Sequence, residues 1–177
     1  MIKKSTITKP DILGGYQIIG GLFGLGLTIV MATKLGPINI PIILLLLFAF
    51  VLYGYSIFCG ILILSNPIKG LKYSRINQFL QIFNFYISGY GFQYISGIFI
   101  SLGIDLTNSF NLKFNLGTST WQIAFNQDSE VSILNINFVA LFILIFIDRQ
   151  IKKNHSQELN KVLIEIGQNV ETHDHSS

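Results

Sequence analysis

The sequence predicts an all-α membrane protein. The expected architecture is a four-transmembrane-helix bundle with both termini inside and a small β-hairpin in the outer loop between helices 3 and 4. Three observations predict it. Half of the 177 residues are hydrophobic and 12% are charged, against roughly 25% charged in soluble proteins. Four stretches approach the ~20 apolar residues that a crossing requires. The charges are also segregated: of 12 lysines and arginines, ten fall on one side of a four-span layout and two, Lys34 and Lys113, on the other. Positive residues favour the inner side, so the bias orients the chain and supports the number four.

The first span is expected at 12–33, preceded by Lys3, Lys4 and Lys9. Gly20, Gly24 and Thr28 recur every four residues, a small-residue row that lets a neighbouring backbone approach. Packing within the bundle is the preferred reading, and a dimerisation face is the alternative. These lysines and Val30-Met31-Ala32 also resemble a signal peptide, but the apolar stretch is longer than the usual 7–15 residues, so retention is expected. The second span is expected at 38–64, with Ser56 and Gly60 at small-residue spacing. Pro37 and Pro41 mark the short outer turn, and Ser65-Asn66-Pro67 ends the span, since proline disfavours helix in the residue before it.

The third span, expected at 76–103, is the unusual one. Asn77, Gln81, Asn84 and Ser88 share one helical face, and Gly89, Gln93, Gly97 and Ser101 share a roughly opposite one. Amides in hydrocarbon are costly without partners. Interhelical hydrogen bonding is the preferred reading of Asn77, Gln81, Asn84, Ser88 and Gln93, and a polar pathway is the alternative. Gly89 and Gly97 read as helix-packing positions. Ser88-Gly89-Tyr90-Gly91-Phe92 invites comparison with a potassium filter, but without a pore helix before it the glycines read as helical.

Alternation through Phe110, Leu112, Phe114 and Leu116, then Ser119, Trp121, Ile123 and Phe125, predicts a hairpin about Gly117-Thr118 in the outer loop 104–130. The fourth span is expected at 131–147, completing a transmembrane domain over 1–147. Ile151, Leu159, Val162, Ile166 and Val170 then share a helical face, which predicts an amphipathic juxtamembrane helix over 148–170 before a disordered tail, 171–177.

No Asp, Glu, His, Lys or Arg lies well inside any expected span, and catalysis or proton coupling in a membrane ordinarily requires an ionisable or ligating group at depth. No catalytic residue, metal site or cofactor is therefore expected. His173-Asp174-His175 and the Asn126/Asp128/Glu130 cluster lack dedicated ligand spacing. The net charge of +3 resides in short flanks, which argues against nucleic acid. A single cysteine, Cys59, allows no internal disulfide. Scarce alanine beside abundant isoleucine, asparagine and lysine fits an AT-rich bacterial genome and a multi-pass inner-membrane location. The expected partners are the lipid bilayer and either another membrane protein or a second copy. The expected function is a non-enzymatic structural or accessory subunit, with a small transporter or channel-forming protomer as the alternative. The outline resembles that of tetraspanins in topology alone, because the larger loop carries no cysteine; no residue role follows.

Overall fold

The computed structural model describes residues 9–36, 39–124 and 130–174. It corrects the expected fold class. The chain is not an all-α bundle: four helices accompany a six-stranded antiparallel sheet. Among the described residues two helices, not four, are long and apolar enough to cross a membrane.

Those two are α1 (Lys9–Lys34) and α2 (Ile40–Ser65). Asn39 caps α2 by accepting from the Ile42 amide at 3.1 Å, one of the helix-start donors that otherwise lack a partner. Asn66 both ends α2, donating its own N–H to the Leu62 carbonyl at 2.7 Å, and caps α3 (Pro67–Ile82) by accepting from the Lys69 amide. The break at Ser65-Asn66-Pro67 therefore falls where the sequence places it.

The expected third span does not exist as a helix. Helix α3 stops at Ile82, and the chain continues as β1 (Phe83–Ile87), β2 (Tyr90–Ile95) and β3 (Phe99–Asp105). Ser88 and Gly89 form the two-residue β1–β2 turn, both with positive φ, 48° and 82°. That conformation matches the twist of a tight hairpin. Gly89 is thus a turn residue and not a helix-packing one, and the glycines after Ser88 are not helical. Gly97 (φ 107°) lies in the β2–β3 connection.

The expected fourth span is likewise divided. Its first residues form β6 (Ser132–Asn137), and α4 (Phe138–Asp174) begins only after them. Asn137 caps α4 by accepting from the Val139 and Ala140 amides. The helix runs unbroken to Asp174, through the stretch expected to be amphipathic and into the stretch expected to be disordered.

The outer-loop strands fall where expected, as β4 (Asn111–Gly117) and β5 (Thr120–Ala124), but they do not pair as a hairpin. The sheet order is β4-β3-β6-β1-β2-β5, so β4 and β5 are opposite edges. Lys3, Lys4, Pro37 and residues 125–129, with Asn126 and Asp128, lie outside the described residues. So do the side chains of Val162, Ile166, Val170, His173 and His175.

The β4–β5 connection fixes the shape of the sheet. A flat six-stranded sheet would hold its edges about 24 Å apart. From Gly117 to Thr120 the chain reaches at most about 11 Å. The sheet must therefore curl until its edges converge at that end. Every neighbouring pair is antiparallel, and residues alternate strictly between the two faces. One face carries Phe83, Phe85, Ile87, Ile100, Leu102, Leu112, Phe114, Leu116 and Leu134, all exposed, while at its β2–β5 side Phe92, Tyr94 and Trp121 of the same face pack against α2. The other carries Asn84, Gly91, Ser101, Gly103 and Asn137, all buried. On that other face the edge-strand residues Lys113, Asn115 and Gln122 are exposed. Over β4, β3, β6 and β1 the sheet is inside out: apolar on its exposed convex face, with amides and glycines buried on the other.

Two small cores join the parts. Leu13, Ile63, Leu71 and Ile147 bring all four helices together at one end. Leu52, Tyr53 and Tyr94 join α2 to β2, with Leu80 and Trp121 packed against them. Arg75 on α3 pairs with Asp148 on α4 at 3.1 Å, across an exposed surface where such pairs stabilise little.

Candidate functional site

The buried polar groups form a seam where the helices meet β2. Ser74 on α3 donates to Gln17 Oε1 at 3.1 Å. Ser56 on α2 donates to the Gln17 carbonyl at 3.1 Å and accepts from Asn77 Nδ2 at 3.2 Å and from Ser96 Oγ at 2.9 Å. The Tyr94 hydroxyl shares its proton between the Leu52 carbonyl, 2.8 Å, and Asn77 Oδ1, 3.0 Å. Gln81 Oε1 accepts from the Ser96 amide at 2.8 Å, and Asn84 Oδ1 from the Tyr94 amide at 3.2 Å. Tyr53 donates to the Ile95 carbonyl and meets Tyr94 edge-on, with ring centroids 5.4 Å apart.

Asn77, Gln81 and Asn84 are thus buried, as a row of amides in an apolar segment requires. Asn77 and Gln81 stand on α3 and Asn84 on β1, so a strand continues the polar row. Ser88 does not join them; it is exposed in the turn. Gln93 is half-buried on the concave face of the sheet. Three members of the seam, Gln17, Ser74 and Ser96, were not singled out from the sequence. Gln17 could have been, as a lone amide within an otherwise apolar first span.

The small residues work by close approach. A Cβ on Gly20 would lie 2.6 Å from the Gly97 nitrogen, and one on Gly60 2.5 Å from the Gly14 carbonyl. A Cβ on Gly24 would run into the Tyr53 ring. Thr28 is buried and returns its hydroxyl to the Gly24 carbonyl at 2.8 Å. Gly97 leaves room for the Tyr16 ring, whose hydroxyl donates to the Ile98 carbonyl at 2.9 Å. Ser119 completes the joint: it accepts from the Gly97 amide at 2.8 Å and donates to the Gly20 carbonyl at 2.9 Å. Both loops at the narrow end of the curled sheet therefore rest on one glycine of α1.

The concave face holds a second polar feature. Asn84 is the cross-strand partner of Asn135, and Gln93 of Gln122. The Phe85–Phe92 register sets Asn84 opposite Gln93. Asn135, Asn84, Gln93 and Gln122 therefore make one row across β6, β1, β2 and β5. The row lies in an open cleft of about 310 Å³ lined also by Tyr86 and Gly91. At the β3–β4 side of the same face, Lys113 pairs with Asp105 at 2.6 Å. That contact and the Thr107 hydroxyl and amide hold the Asp105 carboxyl well below its usual range.

A carboxyl with a lowered folded pKa stabilises above its unfolded value, ~3.9, and its contribution fades as pH falls below that. Lys113→Gln is accordingly expected to raise the Asp105 pKa toward ~3.9, read as an NMR titration of its side-chain carbon. An unmoved titration would show that Thr107 alone sets the shift.

Among the described residues no group of histidine, cysteine, aspartate or glutamate could hold a metal ion. Comparison with protein-family models, curated proteins and solved structures finds no match.

Proposed function

We propose that this chain is a membrane-embedded, non-catalytic accessory subunit that acts through its apolar surfaces. In this reading α1 and α2 cross the bilayer as a helical hairpin, and the convex face of the sheet over β4, β3, β6 and β1 meets lipid or the lipid-embedded face of a partner. The inside-out sheet carries the proposal. In water, an antiparallel sheet buries its apolar face and exposes its polar one. Apolar outside with amides inside is the pattern of a sheet facing hydrocarbon, and curling reduces the unpaired strand edge that hydrocarbon does not tolerate.

The basic residues support the same orientation. Lys69, Lys72 and Arg75 are on α3, while Arg149, Lys152 and Lys153 follow Ile147 on α4. The Leu13, Ile63, Leu71 and Ile147 cluster and the Arg75–Asp148 pair bring these segments to one end, where anionic headgroups would attract them. The alternative, a transporter or channel protomer lined by Asn77, Gln81 and Asn84, is weaker. Those amides are engaged in hydrogen bonds between elements, which suits packing better than a wet pathway.

Single cysteines along β4 test the lipid contact, since the native Cys59 is buried. Fluorophores at Phe114→Cys and Leu116→Cys are expected to be quenched by brominated lipid, and those at Lys113→Cys and Asn115→Cys much less. Equal quenching at all four positions would remove the bilayer reading. Solute flux or turnover by the purified chain in liposomes would remove the accessory one.

A further inference from the structure

We propose that the amide row on the concave face is a binding site for an uncharged, hydroxyl-rich small molecule of the size of a mono- or disaccharide. The proposal concerns the inner face of the sheet and stands apart from what covers the outer one. An amide side chain offers two donors and an acceptor with two lone pairs. Four of them in one row, at about 4.8 Å per strand, present alternating donors and acceptors along roughly 14 Å. Hydroxyl groups, each donor and acceptor at once, match such a row.

The row is not closed upon itself. Asn84 is 2% exposed, yet only its Oδ1 is engaged; its Nδ2 has no protein acceptor. Asn135 Oδ1, which leans over Gly103 on the β3 side, also lacks a donor. Buried amide atoms without partners are costly, and both belong to residues that line the cleft. The room for these side chains is specific. A Cβ on Gly103 would collide with Asn135 Oδ1, and one on Gly91 with the Tyr86 ring. Glycine at both positions lets the amide and the ring lie on the floor of the cleft. A Tyr86 ring beside the row adds an apolar surface for the C–H face of a sugar.

Charge narrows the class of ligand. No charged side chain is among the described residues that line the cleft, and the Asp105 and Lys113 charges on this face answer each other. An anion or cation would give up its hydration there without a counter-charge. A neutral polyol would not. The volume falls at the lower end of the range for small-molecule sites.

The test uses the full chain in phosphocholine nanodiscs, which carry no sugar headgroup, with glucose and trehalose as probes and glucosamine and glucuronate as charged controls. Binding is read by saturation-transfer NMR and calorimetry. At least one neutral probe is expected to bind saturably, and about tenfold or more tightly than either charged control. Gln122 is exposed, so Gln122→Leu is expected to weaken that binding about tenfold while leaving thermal melting unchanged. Gln93→Leu provides the second position. The absence of saturable binding by both neutral probes would overturn the proposal. So would equal affinity for charged and neutral sugars, or binding that survives both substitutions.

Discussion

Gly20→Ala is expected to lower the unfolding free energy by about 2–3 kcal/mol, the cost of overfilling a well-packed contact. On an isolated helix the same change would gain about 1 kcal/mol. The contact decides the sign. The new methyl would lie 2.6 Å from the Gly97 nitrogen and 2.8 Å from its Cα, and both are backbone atoms that no rotamer change can move. To make room, the 96–98 connection must lift off α1. That strains the Ser119 bonds to the Gly20 carbonyl and the Gly97 amide, because all three groups meet there. Gly15→Ala is the control, since nothing lies within 4 Å of its Cβ. It is expected to be neutral or stabilising by up to about 1 kcal/mol. Thermal melting of the two proteins in one detergent gives the comparison. Equal shifts would show that α1 and the sheet are not joined through Gly20.

Asn77→Leu is expected to cost a similar or greater amount, about 2–4 kcal/mol. The side chain is fully buried; it donates to Ser56 and accepts from Tyr94. Leucine removes both bonds. Tyr94 retains the Leu52 carbonyl as an acceptor, and Ser56 retains Ser96 as a donor, so neither is abandoned outright. What is lost is a side chain that, with Tyr94, links α2, α3 and β2 at once. Tyr94→Phe removes one hydroxyl and is expected to cost less, about 1–2 kcal/mol. A double Asn77→Leu/Tyr94→Phe protein is expected to lose less than the sum of the two, because the pair shares a bond. Strict additivity would show that the seam acts as independent contacts.

The sequence reveals the apolar elements and misreads the polar ones, for a geometric reason. The rows Asn77, Gln81, Asn84, Ser88 and Gly89, Gln93, Gly97, Ser101 step mostly by four. A step of four is close to one helical turn and is also two full periods of a strand. Asn77 and Gln81 are indeed on a helix, whereas Gln93 and Ser101 share the inner face of a sheet. The same spacing fits both. The alternation in Phe83-Asn84-Phe85-Tyr86-Ile87 and in Ser132-Ile133-Leu134-Asn135-Ile136-Asn137 was the available signal. It is weak because the apolar content resembles that of a span, and lipid-facing strands are harder to read than lipid-facing helices.

The strands at Asn111–Gly117 and Thr120–Ala124 were legible because their alternation is long and uninterrupted. Their partners were not. Two adjacent strands joined by two residues read as a hairpin, and only the closure of the whole sheet places them at opposite edges. The seam was half legible. Its α3 members could be read from spacing, while Gln17, Ser74 and Ser96 become neighbours through contacts spanning 15–57 residues of chain.

The position of β6 bears on how the chain is made. This strand is the last of the six to leave the ribosome, yet it lies between β3 and β1. Before it arrives, β1, β2 and β5 can form one half-sheet and β3 and β4 another, each with an unpaired edge. Such edges are what other chains add to, and pairings so distant in sequence form slowly. A nascent chain halted before Ser132 would hold both halves without the strand that unites them. Residues 132–137 therefore act as a keystone, and assembly of the sheet waits on their emergence.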